Sequence, residues 1–244
     1  MASRGAGAPL KIEVHADADA VARRAAAWIA GAAMQAIAQR DRFVMALSGG
    51  TTPWPMLRVL ATETIDWPKV HVVQVDERAA PIDSPDRNLT HLRDALLARV
   101  PLPAAQVHPM PVEDDDLAAA AKSYSRSLAR LAGSPPLLDL VQLGLGADGH
   151  TASLVPGDPV LEVSRADVAV TAEYRGRRRM TLTFPIINRA RRILWLVTGE
   201  DKADAVARLV EGDLSLPAGR ISREPALLLA DRAAAAQLAA PATG

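Results

Sequence analysis

Short apolar runs bounded by polar or glycine-bearing segments recur along the chain, and between them apolar residues return at helical spacing. LKIEV (10–14) predicts a short strand. From Asp17 to about Arg40, the positions of Val21, Ala25, Trp28, Ile29 and Ala32 predict an amphipathic helix. RFVMAL (42–47) is short and almost wholly apolar, as in a strand covered on both faces. SGGTTP follows and leads into a helix over WPMLRVLA, with Pro53 or Pro55 near its first turn. The order then repeats. VHVVQV (70–75) predicts a second buried strand that exits in DER, and Leu89, Leu92, Leu96 and Leu97 mark the next helix. Residues 113–132 predict an acid-led helix whose Glu113 to Asp116 start suits the helix dipole. LLDLVQL (137–143) predicts a third buried strand, and its exit reads GLGADGHTAS.

Beyond it, DVAVTAEY and RRMTLTF predict a pair of strands, PIINRA a short helical turn, and RILWLVTG (192–199) another buried strand. A helix over EDKADAVARLVEG, then ALLLAD and an alanine-rich terminal helix, complete the pattern. Strands alternating with helices predict an α/β fold: an open, mostly parallel, twisted sheet with helices on both faces, Rossmann-like in plan. No low-complexity linker divides the chain, so one domain over 1–244 is expected, with 1–9 frayed. Ligands of such sheets bind beyond the carboxyl ends of the strands. SGGTTP, DER, GADGHTAS and TGEDK should therefore share one edge.

Composition narrows the function classes. Lysine plus arginine equals aspartate plus glutamate at 28 each, which argues against a general nucleic-acid or membrane-surface binder. RGRRR (175–179) is a local exception, expected to be a solvated loop or strand edge. With no cysteine, disulfides, thiolate chemistry and cysteine-held metals are excluded. No apolar stretch approaches membrane length and MASRGAGAPL lacks the apolar centre of a signal peptide, so a soluble, cytoplasmic protein is expected.

Three motifs carry candidate chemistry. Ser48, Gly49, Gly50 and Thr51 precede a helix, where amides and hydroxyls suit a phosphate or sugar hydroxyls; the Gly-Lys-Ser/Thr ending of a Walker A loop is missing. In VDERAAP (75–81), Arg78 could clamp a phosphate, and Asp76 could orient a histidine or hold a sugar hydroxyl. His150 differs from the other four histidines in its glycine-rich, acid-bearing setting, and Asp148 or Asp76 could fix its ring for general-base work. Neither HxH nor HExxH spacing occurs, so no metal is expected.

Together these segments resemble the 6-phosphogluconolactonase family across nearly the whole chain. The likeness rests on ALSGGTTP (46–53), VDERAAPIDSPDRN (75–88), LVQLGLGADGHTASLVPG (140–157), TLTFPIINRARRILWLVTGEDKADAV (181–206) and LPAGRI (216–221). The resemblance implies hydrolysis of 6-phosphoglucono-δ-lactone in the pentose phosphate pathway, by a sugar-phosphate isomerase type of fold without metal or organic cofactor. It implies His150 as catalytic base and a small sugar phosphate as the ligand; a phosphate needs cations and amides, for which Arg78, Lys202 and the Ser48–Thr51 turn are the candidates. The assembly stays open between monomer and weak dimer. Glucosamine-6-phosphate deaminase is the nearest alternative, but its DGHIAFNEP motif has a glutamate where Val155 stands here, and a tyrosine where Arg78 stands. A sugar-phosphate sensor of a transcription regulator would need a helix-turn-helix segment, and none fits in residues 1–41.

Overall fold

The computed structural model describes residues 9–238. Seven parallel strands form the main sheet: β1 (Lys11–His15), β2 (Phe43–Leu47), β3 (Val70–Gln74), β5 (Val107–His108), β6 (Leu140–Leu143), β9 (Ile193–Val197) and β10 (Ala226–Asp231). Their order across the sheet is β1-β10-β9-β6-β2-β3-β5. Three further strands, β4 (Asp76–Arg78), β7 (Val168–Val170) and β8 (Arg179–Leu182), make a small antiparallel sheet in the order β4-β8-β7.

Alternation along the central strands builds two cores. Phe43, Met45 and Leu47 of β2 face α1 (Ala18–Arg40), α2 (Pro53–Leu60) and α3 (Asn88–Ala95); Val44 and Ala46 face the side covered by α4 (Leu117–Ala132), α5 (Phe184–Arg189) and α6 (Ala203–Glu211). Both faces are covered, so these strands read as unbroken apolar runs rather than alternating ones. Asp17 caps α1 by accepting from Ala20 N at 2.8 Å, and Asp116 caps α4 by accepting from Ala119 N at 2.9 Å. The acids 113–116 therefore precede the α4 helix rather than open it, and the helix begins at Leu117.

From β2 the chain runs outward to β3 and β5, then returns to the other flank of β2 as β6 and continues to β9 and β10. The direction reverses between β2 and β6, and such a switch point leaves a crevice beyond the carboxyl ends of the two strands. SGGTT leaves β2 there, and GLGADGH leaves β6.

Three further expectations are corrected, and one strand is unforeseen. DER is not a simple exit segment: it is β4, paired antiparallel with β8. Its Glu77 carboxylate is fully buried because it is saturated, accepting from the backbone N–H groups of Arg78, Asn88 and Leu89 and from Gln74 Nε2, each at 2.8 Å. The two-residue edge strand β5 has no counterpart in the sequence pattern. RGRRR is not merely solvated, because Arg179 starts β8 and turns into the crevice. The alanine-rich terminal helix does not form over residues 232–238, which are turns, and the rest of that segment lies outside the described residues, as do residues 1–8 of the expected frayed start.

Candidate active site

The crevice is a cavity of about 220 Å³ at the carboxyl ends of β2, β6 and β9. It gathers Ser48, Gly49, Gly50 and Thr51, Asp76 and Arg78, His150, and Lys202, bringing together all but one of the residues singled out from the sequence. Asp148 does not line the cavity itself but holds the histidine that does.

His150 Nδ1 lies 2.5 Å from Asp148 Oδ1, and the same oxygen accepts from the His150 backbone N–H at 3.1 Å. Burial works to raise the Asp148 pKa, but these hydrogen bonds outweigh it and hold the carboxyl below its usual value. The loop under this pair is closed by Gly146 N donating to His150 O at 2.8 Å and Gly149 N donating to Gly146 O at 2.9 Å. Gly146 is a close-approach position: a Cβ there would fall 2.1 Å from His150 Nδ1 and 2.6 Å from Asp148 Oδ1. The pair rests directly on that backbone.

Asp76 does something else. Its Oδ2 accepts from Ser153 Oγ at 2.6 Å, and its Oδ1 lies 3.4 Å from Asn88 Nδ2. Of the two aspartates weighed as partner for His150, Asp148 makes the contact. Asp76 is buried, and that burial raises its pKa against the lowering pull of Ser153, Arg78 and Arg179.

β4 alternates. With Glu77 turned into the protein and saturated, Asp76 and Arg78 face the cavity. Arg78 Nη1 donates to Asn88 Oδ1 at 2.7 Å and to Asp86 O at 2.9 Å. Directly across the antiparallel pair stands Arg179. Like charges placed opposite each other on a ladder destabilise it, and the Asp76 carboxylate acts on both as a counter-charge. Burial, together with the Arg78 and Arg175 cations, lowers the pKa of Arg179 despite the nearby Asp76.

On the opposite bank, the N–H groups of Gly49, Gly50 and Thr51 make no hydrogen bond to the described residues and lie just before α2. Unpaired amides at a helix start attract anions. The Gly49 backbone is packed against Asn88, whose Oδ1 would sit 1.9 Å from any Cβ there. Lys202 enters from a short 3-10 turn after β9, with its Nζ 2.8 Å from Asp201 Oδ2. The turn is tied down by Asp231, which accepts from Gly199 N at 3.1 Å.

Sequence reasoning missed Asn88, Arg179 and Thr198 as cavity residues. Each lay in a quoted segment without being singled out: Asn88 ends VDERAAPIDSPDRN, Arg179 ends the basic run and Thr198 opens TGEDK. Also missed was Tyr174, whose ring lies 6.2 Å from that of His150, edge to face. Val155, at the position of the deaminase glutamate, is buried and apolar. Among the described residues, no group of three or more histidine, aspartate or glutamate side chains is placed to hold a metal ion. Nor is any of their helices long and apolar enough to cross a membrane.

These observations agree with comparison to known proteins. The family model described as glucosamine-6-phosphate isomerases/6-phosphogluconolactonase matches residues 16–229. A 6-phosphogluconolactonase of Mycobacterium tuberculosis is 42% identical over 241 residues, covering 93% of this chain and 98% of that protein. The solved 6-phosphogluconolactonase of Trypanosoma cruzi superposes with a TM-score of 0.86 at 25% identity, covering 97% of this chain and all of that one (100%). A monomeric glucosamine-6-phosphate deaminase also superposes, with a TM-score of 0.82 over 93% of this chain and 99% of that one; at 23% identity this is a likeness of fold alone. The chain belongs to the glucosamine-6-phosphate isomerase/6-phosphogluconolactonase family.

Proposed function

We propose that the chain hydrolyses 6-phosphoglucono-δ-lactone to 6-phosphogluconate, the lactone-opening step of the oxidative pentose phosphate pathway, with His150 as general base. The observation that carries this reading is the Asp148–His150 pair at 2.5 Å, set in a cavity whose other walls are anion-binding groups.

With Nδ1–H donated to the Asp148 carboxylate, the lone pair of the ring is on Nε2. Nε2 takes a proton from water as the water oxygen attacks the lactone carbonyl carbon. The carbonyl electrons move onto oxygen and return as the bond to the ring oxygen breaks. The imidazolium then gives its proton to that departing oxygen, and Asp148 stabilises the cation in between. Such proton transfer contributes about 10²–10⁴-fold.

The substrate phosphate is assigned to the Ser48–Thr51 turn with Arg78 and Lys202, and Arg179 adds a second guanidinium to the Arg78 wall. Asp76, bonded to Ser153 rather than to the base, is left to accept a sugar hydroxyl. Two cores sharing one sheet support the reading of 1–244 as one lactonase domain.

The test is a direct assay on the purified chain. Freshly prepared 6-phosphoglucono-δ-lactone should be opened far faster than its spontaneous rate, and glucosamine 6-phosphate should release no ammonia. His150→Ala should lower kcat by about 10²–10⁴-fold with the fold retained. Ammonia release without lactone hydrolysis would overturn the assignment, and favour the deaminase.

A further inference from the structure

A second cavity of about 630 Å³ shares Arg78 and Arg179 with the first and adds Arg175, Arg177 and Asp86. We propose that this cavity, at the tip of the β7–β8 hairpin, is a second anion site, overlapping the first, that takes a diphosphate group.

The charge count points there. Of the described residues in the lining, Asp86 is the one carboxylate, and it is already ion-paired with Arg177. Among the described residues, Arg78, Arg175 and Arg179 make no ion pair, and the buried Nε of Arg179 has no hydrogen-bond partner. Arg78 and Arg179 are also forced opposite each other by the strand pairing. Asp76, in the lining of the first cavity and not of the second, offsets part of this repulsion; an anion in the second cavity would relieve the rest.

The hairpin is shaped to hold them so. Tyr174 and Arg177 bridge across a tight turn whose central residues, Arg175 and Gly176, have φ of 52° and 75°. The turn brings the Arg175 guanidinium over the Tyr174 ring at 5.1 Å, while Arg179 lies over the same ring at 5.2 Å. An aromatic ring positions a guanidinium through its face and leaves the N–H edge free. Arg178 points elsewhere and lines neither cavity, as alternation along the arm requires. A single phosphate has oxygens for fork-type pairing with two guanidiniums, whereas the three without an ion pair here, Arg78, Arg175 and Arg179, suit the two phosphoryl groups of a diphosphate. The diphosphate could be free or part of a nucleotide. Because two arginines are shared, an occupant would oppose lactone binding.

The test is calorimetric titration of the full chain with inorganic pyrophosphate, inorganic phosphate and adenosine diphosphate, which does not depend on catalysis. Pyrophosphate should bind more tightly than phosphate. The double variant Arg175→Ser/Arg177→Ser should weaken pyrophosphate by about tenfold or more, while Arg178→Ser, with its own loss of charge, should stay within about twofold. Asp86→Asn should tighten it by freeing Arg177. Adenosine diphosphate binding as tightly as pyrophosphate would identify a nucleotide as the source, and weaker binding would identify the free anion. Three outcomes would overturn the proposal: equal binding of phosphate and pyrophosphate, equal weakening by Arg178→Ser, or a parallel fall in lactone kcat/KM in the double variant. The last would make the hairpin part of the substrate's own phosphate pocket.

Discussion

A single added methyl at Gly146 should disable the site without unfolding the protein. The Cβ of Gly146→Ala would lie 2.1 Å from His150 Nδ1 and 2.3 Å from Cε1, whereas real Cβ contacts stay beyond 3.0 Å. The ring must therefore retreat by about 0.9 Å, taking with it Asp148, whose Oδ1 would be 2.6 Å from the same methyl. A misplacement of about 1 Å at the reacting centre costs about a hundredfold in rate, equivalent to about 2.7 kcal/mol. The backbone of Gly146 is not among the left-handed glycines, so alanine itself adds no conformational strain. Gly31, on α1 and away from the cavity, would present its added methyl to open space, with nothing within 4 Å, and supplies the control. We expect kcat/KM for the phosphorylated lactone to fall about a hundredfold in Gly146→Ala and less than about threefold in Gly31→Ala. Both should melt within a few degrees of the parent. A Gly146→Ala protein that kept a third or more of its activity would refute the claim that His150 must stand where Asp148 holds it.

Arg78→Ala should lose about one to two decades in kcat/KM on the phosphorylated lactone, for about 1.5–3 kcal/mol of charge-assisted hydrogen bonding, and far less on plain gluconolactone. An equal loss on both would mean that Arg78 serves the reaction centre or the β4–α3 junction instead. A second expectation concerns acid stability. His71 Nδ1 and His108 Nε2 meet at 3.1 Å between β3 and β5, and burial lowers both pKa values from 6.5, helped by Arg42 at His71 and by His71 at His108. The unfolded chain therefore binds protons first, so this contribution is whole above pH 6.5 and is lost as pH falls through the depressed folded values. Thermal melts of the parent and of His71→Gln should converge as pH falls from neutrality toward 5, and parallel curves would show the pair to be thermodynamically silent.

Much of this architecture was legible because strands covered on two faces must be apolar throughout. RFVMAL, VHVVQV and RILWLVTG could hardly be anything else, and their polar exits had to share an edge. What stayed hidden depended on partners distant in sequence. Charges made DER look like an exit, whereas Glu77 is buried through backbone N–H groups supplied by α3, eleven and twelve residues later. The two residues of β5 carry too little pattern to announce a strand, and alanine at the C-terminal end suggested a helix where Asp231 instead accepts from Ala234 N at 2.7 Å to form a turn. Asp148 and Asp76 were equal candidates to hold His150, since motif spacing contains no distances. Arg179 looked like any arginine in a basic run, and only its pairing opposite Arg78 sets it apart.

Val75 belongs to both sheets at once: its N–H donates to Leu47 O at 3.0 Å, and its carbonyl accepts from Leu182 N at 2.8 Å. Everything on β4 is counted from that joint. Because side chains alternate, an insertion or deletion of one residue between Val75 and Arg78 would exchange the faces of the strand. A deletion would send Arg78 toward the amides that Glu77 satisfies, and an insertion would carry Arg78 off the cavity face. Lineages descended from such a chain should therefore keep the count from Val75 to Arg78 unchanged.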